Sequence, residues 1–209
     1  MLQVTALGEP GRAWVRQCLD KGKSLSRSVL NRMDINSGSV LALGISGHTL
    51  ESVGNIEYPL SDPPPLSRSV SAESLFVLLA KLPKLEGRYL LVVEDDVASP
   101  NDPWLLRLPP EITTICSDDT VYHLRYLSDV HTGDGLGKLL SYAYSGSWLL
   151  NGFVLKAIHR EEVSKALRTG HFELVVDHVE AIINSVFDND LYSIWMPNRI
   201  LEPLLRRVT

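Results

Sequence analysis

The stretch "HTGDGLGKLL", His131 to Leu140, sets a run of glycines ahead of a lysine and is the first place to look for phosphate chemistry. A phosphate-binding loop needs a glycine five positions before its Gly-Lys pair and a Ser or Thr after it, so that amides wrap the anion and a hydroxyl reaches its magnesium. Thr132 and Leu139 hold those two positions here. The dinucleotide spacing fails as well, because Gly133, Gly135 and Gly137 lie two apart, and Asp134 would repel a bound phosphate. The expectation is a loop leading into the start of a helix.

Two carboxylate clusters come next. Glu94, Asp95 and Asp96 close an apolar run, and Asp118 and Asp119 follow another. Carboxylates at the ends of parallel strands are placed where open α/β sheets gather ligands, and adjacent oxygens there suit Mg²⁺. The plainer reading is that Asp ends strands and occupies turns. The six histidines form no His-x-x-x-His or His-Glu-x-x-His pair, so zinc is not indicated. Cys116 and His123 are a nucleophile and a base in type, joined by nothing but nearness in sequence. "GISGH", Gly44 to His48, lacks the glycine spacing of a serine elbow around Ser46. No complete catalytic constellation is legible. The expected complement of metal ions and cofactors is none.

Charge is the stronger signal. Residues 86–134 hold ten acidic residues against Arg88, Arg107 and Arg125, a local net of −7, while the whole chain carries −5. Residues 1–36 are basic, with six Lys and Arg against Glu9, Asp20 and Asp34. The overall negative charge excludes general affinity for nucleic acid. The acidic middle instead suggests a protein partner with a basic surface, met through Glu94, Asp95, Asp96, Asp118, Asp119, Asp129 and Asp134, with Trp104 as an aromatic anchor. Tyr142, Tyr144, Trp148 and Trp195 are further interface aromatics or ordinary core. The functional expectation is a non-enzymatic binding protein: an inhibitor, a toxin-neutralising immunity protein or an adaptor subunit. The alternative is a metal-dependent enzyme acting on a phosphorylated or nucleotide ligand through Asp95, Asp96, Asp118, Asp119 and the 131–138 turn.

The elements that must position these residues follow from periodicity. Trp14, Val15, Cys18 and Leu19 make one apolar helical face, and "SLSRSVLNRM" makes a second short helix. "SVLALGISG" reads as a buried strand. The prolines of "YPLSDPPPLSRSVSAES" break the chain, and a helix over about 72–82 follows. "GRYLLVVEDD" reads as a strand buried on both sides. Strand, loop, helix, strand predicts a βαβ crossover and parallel pairing. "ITTIC" and "TVYHLRYL" predict a hairpin or two successive strands. "REEVSKALRTG" predicts a helix ended by Gly170, and "FELVVDHVEAIINSVF" repeats its apolar residues at helical spacing. "LYSIWM" reads as an edge strand and "RILEPLLRRV" as a tail element.

The expected fold is therefore a single α/β domain over 1–209, with mixed α+β as the alternative, a central mostly parallel sheet, a helical C-terminal part and a sub-boundary at the proline loop 59–71. Two distant cysteines predict free, buried, inert thiols in a cytoplasmic protein. Residues 139–155 carry no charge, but their serines, glycines and Asn151 predict burial in protein rather than in a membrane. No signal peptide is visible at the N-terminus. Oligomeric state is not legible.

Overall fold

The computed structural model describes residues 3–44, 89–95, 112–117, 120–126, 149–156, 158–186 and 192–199. In chain order these form β1 (Gln3–Leu7), α1 (Glu9–Lys21), α2 (Ser24–Arg32), a 3₁₀ turn (Ile35–Ser37) and β2 (Gly38–Gly44). Then come β3 (Tyr89–Asp95), β4 (Thr113–Ser117), β5 (Thr120–Tyr126) and β6 (Leu149–Lys156). The chain continues through α3 (Arg160–Thr169), the single turn α4 (Glu173–Val176), β7 (Val179–Val186) and β8 (Tyr192–Pro197).

The strands make one eight-stranded sheet in the order β1-β2-β8-β7-β6-β3-β5-β4. Every described pairing is antiparallel. The expected mostly parallel sheet is thus overturned. β2 and β3 do not pair, so no βαβ crossover joins them as neighbours. The reason is burial. A strand covered on both faces reads as a continuous apolar run, which is the usual mark of a parallel sheet. Here Leu90 and Val92 face the helices while Leu91 and Val93 are buried on the opposite face. An antiparallel sheet buried on both sides produces the same run.

The same ambiguity misplaced one helix. "FELVVDHVEAIINSVF" is helical only over Glu173–Val176, and Val179–Val186 is strand β7. Ile182 packs into the helix-side core while Ala181 and Ile183 are buried on the other face, a period of two inside an apolar run. β-branched residues in that run favour the pleated form. The expected helical C-terminal part therefore contains β6, β7 and β8 beside α3 and α4. "LYSIWM" is a strand, but an internal one, held between β2 and β7.

Other expectations hold. α1 buries Trp14, Val15, Cys18 and Leu19, and α2 buries Leu25 and Val29. β4 and β5 form a hairpin in which Ser117 pairs with Thr120. Gly170 ends α3 at φ 72°, the left-handed conformation a glycine adopts at no steric cost. Of the 139–155 run, Asn151 to Leu155 are buried, and 139–148 lie outside the described residues. Among the described residues no helix is long and apolar enough to cross a membrane. Strands on either side of 59–71 join one sheet, since β1 and β2 precede it and β8 follows. The proline loop itself, the 72–82 helix, the 131–140 turn and the "RILEPLLRRV" tail lie outside the described residues, apart from Arg199 at the start of the last.

α1, α2, α3 and α4 form one connected layer against the sheet: α1 contacts β2, β6 and β8, and α3 contacts β4. Trp195, Phe153, Leu124 and Val40 supply the sheet side of that core. The Trp195 indole donates to the Ile35 carbonyl at 2.9 Å, which ties β8 to the 3₁₀ turn.

Candidate functional site

β3 ends on two adjacent carboxylates, and successive residues of a strand point to opposite faces. Glu94 therefore enters the helix side and Asp95 the other, with only 4% and 2% of their surface exposed. A buried carboxylate needs hydrogen-bond donors or a counter-charge. Glu94 obtains donors from the first turn of α2. The Leu25 amide reaches Oε1 at 2.9 Å, the Ser26 amide reaches it at 3.3 Å, and the Lys23 amide reaches Oε2 at 3.1 Å. The Ser26 hydroxyl donates to Oε2 as well. These are orphan amides of a helix start, where the dipole favours a negative charge. α2 has no side-chain cap of its own. The cap comes from the sheet, 68 to 71 residues away in sequence.

The network continues across the sheet. Asn151 donates to the Cys18 carbonyl at 3.1 Å and to Ser26 Oγ at 2.9 Å. Asn184 donates to Asn151 Oδ1 at 2.6 Å. Register explains the line, since Glu94 pairs with Asn151 and Asn151 with Asn184. Burial pushes the Glu94 carboxyl above the usual carboxylate range, and the Ser26 hydroxyl and the three amides pull it back only in part. Gly22 closes the site. A Cβ there would collide with Ser26 and with the Asn151 amide.

On the other face Asp95 Oδ2 lies 3.6 Å from His123 Nε2, and Thr114 Oγ1 lies 3.3 Å from His123 Nδ1. His123 has no exposed surface. Thr114 pairs with His123 and Cys116 with Val121, so the thiol lies on the same face, diagonal to the imidazole. The ring nitrogens are directed at Thr114 and Asp95, not at the thiol, which leaves the nucleophile-and-base pairing without geometric support. Cys18 is buried and its thiol is pushed up by that burial. Cys116 is exposed, contrary to the expectation of two buried thiols, on β4, the outermost of the described strands on that side of the sheet.

Of the residues expected to meet a partner, Glu94 and Asp95 are internal; they present no carboxylate to solvent. Asp96, Asp118, Asp119, Asp129, Asp134 and Trp104 lie outside the described residues. Asp95 pairs with Val121 and Ser117 with Thr120, so Asp95 lies at the end of the sheet where β4 and β5 begin and end their pairing. Among the described residues no three His, Cys, Asp or Glu side chains gather as a metal site. Trp195 is core, at 1% exposure.

Sequence reasoning missed the internal cap. Its signal was present: a Glu-Asp pair inside a strand already read as buried on both sides must send one carboxylate to each face. Asn151 was legible in the same way, as a lone amide within an apolar run.

No family model, curated protein or solved structure matches this chain.

Proposed function

We infer that the protein is a non-enzymatic cytoplasmic binding protein, an inhibitor, immunity protein or adaptor subunit, that engages a basic protein partner through the acidic middle of its chain. The observation that carries this reading is the spatial grouping of that segment. β3, β5 and β4, the described strands of residues 86–134, are consecutive neighbours at one side of the sheet. The basic start of the chain supplies α1 and α2, and α1 packs over β1, β2, β8 and β6. Part of the positive charge is also neutralised locally, since Arg16 and Arg12 pair with Glu9 at 2.7 and 2.9 Å and hold its carboxyl below the usual range. With Glu94 and Asp95 internal, contact falls to Asp96, Asp118, Asp119, Asp129, Asp134 and Trp104.

Affinity capture from extracts of the cells that make the protein, followed by association kinetics with the captured partner, tests the reading. Exposed charges are screened beyond about 8 Å at physiological salt. The expected partner is basic. Its on-rate falls with salt and with the paired changes Asp118→Lys and Asp119→Lys, and its off-rate changes less. An on-rate indifferent to both overturns the reading. The second reading is Mg²⁺-dependent chemistry on a phosphorylated ligand, with Asp95 at the sheet end where Ser117 pairs with Thr120. Its test is a saturable Mg²⁺ stabilisation that Asp95→Asn abolishes.

A further inference from the structure

Among the described residues β4 is an edge strand, and its sequence does nothing to guard that edge. Natural edge strands are protected from pairing by charges, prolines or bulges. β4, "TTICS", contains no charge and no proline, and pairs with β5 in unbroken register. β1, the other edge of the described sheet, is also uncharged, and in α1 beside it Arg12 and Arg16 both pair with Glu9. α3, which contacts β4, is different. Its exposed charged residues run from Glu161 and Glu162 in the first turn through Lys165 to Arg168 in the last, and none of the four has an ion-pair partner among the described residues.

We propose that β4 pairs antiparallel with β4 of a second copy, giving a two-fold dimer with one continuous sheet and with α3 lying beside its symmetry mate. The pattern on α3 selects this occupant. A two-fold axis normal to the sheet reverses every direction in its plane. The two α3 helices then run antiparallel, and Glu161 of each copy faces Arg168 of the other. A basic peptide added to β4 would meet Lys165 and Arg168, and an acidic one would meet Glu161. Only a surface carrying both charges in reverse order satisfies both ends, and a second copy is such a surface. Pairing centred on Ile115 sets Thr113 against Ser117 and Thr114 against Cys116 across the interface. The two Cys116 side chains then fall on a cross-strand diagonal, about 7–8 Å apart.

Sedimentation equilibrium on the full-length protein reads the stoichiometry. The expected mass is twice the 23.2 kDa of the chain at micromolar concentration. Cys116→Lys, at an exposed position, yields a monomer with unchanged circular dichroism, because it sets ammonium groups on the pairing edge. Glu161→Arg and Arg168→Glu each weaken the dimer roughly tenfold, and the two together restore it. A bismaleimide with a spacer of about 8 Å gives a covalent dimer through Cys116, since Cys18 is buried and unreactive. A chain that stays monomeric at about 100 µM overturns the proposal. So does a dimer that survives Cys116→Lys, or a double variant carrying both Glu161→Arg and Arg168→Glu that fails to restore what the single changes removed.

Discussion

On the helix-covered face of the sheet, Glu94 receives three amides and a hydroxyl from α2 and the residue before it. On the opposite face Asp95, its neighbour, lies 3.6 Å from an imidazole. Both carboxylates are buried to a similar degree. The first is held by the orphan donors of a helix start, which are fixed by the backbone and do not titrate. The second faces a side chain of the neighbouring strand. Two adjacent residues thus solve one desolvation problem in two ways. A backbone cap ties two layers together over a sequence separation of about seventy residues, whereas a side-chain pair ties only neighbouring strands.

The largest effect should come from breaking the backbone cap. Glu94→Ala leaves three amides and Ser26 without their acceptor, each buried unsatisfied group costing about 1–3 kcal/mol. Some of that is recovered by water or by relaxation of α2. A net loss of about 3 kcal/mol is expected in urea unfolding, with m unchanged. Gly22→Ala attacks the same junction by steric collision with Ser26 and Asn151, and about 2–3 kcal/mol should be lost. A near-neutral result for both would remove the cap from its place as the main link between layers.

Breaking the side-chain pair should cost less. Asp95→Asn keeps volume and one acceptor beside His123, and about 1–2 kcal/mol is expected by the same measurement. If Asp95→Asn proves costlier than Glu94→Ala, the contrast between backbone and side-chain solutions is reversed.

A smaller effect sharpens the comparison through pH. The folded-state pKa of Glu94 is raised above the ordinary value, chiefly by burial. Between the unfolded and folded values the native state binds the extra proton, so stability falls as pH rises through that window. The contribution is fully present below the ordinary carboxylate pKa and is lost above the raised one. This sign is opposite to that of a salt-bridged carboxylate. Melting temperatures of the native protein and of Glu94→Gln, compared from about pH 4 to about pH 8, should converge in slope on the alkaline side and diverge in the acid window. Identical profiles would show that Glu94 does not titrate there.

The smallest expected effect is that of Mg²⁺. Asp95 already faces His123 inside the sheet, so millimolar Mg²⁺ should leave the melting temperature unchanged. A saturable rise of several degrees, lost in Asp95→Asn, would move the argument to the metal-dependent reading.

The amino-acid sequence by itself determined the local elements whose signals are one-sided. α1, α2 and α3 each place apolar residues on one helical face and leave the other polar, and Gly170 stops α3, so those elements were legible at near their true bounds. Charge segregation was legible too, because it is a property of the chain. What only the tertiary structure decided is direction and partnership. "YLLVVED" and "VEAIINSV" lie in strands buried on both faces, and such a run carries no mark of which way its neighbours point or whether its period is two or three and a half. The fates of Glu94 and Asp95 were decided in the same way. Their alternation is local, but the donors that meet Glu94 come from α2 and the imidazole that faces Asp95 comes from β5. A single strand cannot specify those partners, because they exist only once the sheet has set β5 on one side of it and the helix layer has closed over one face.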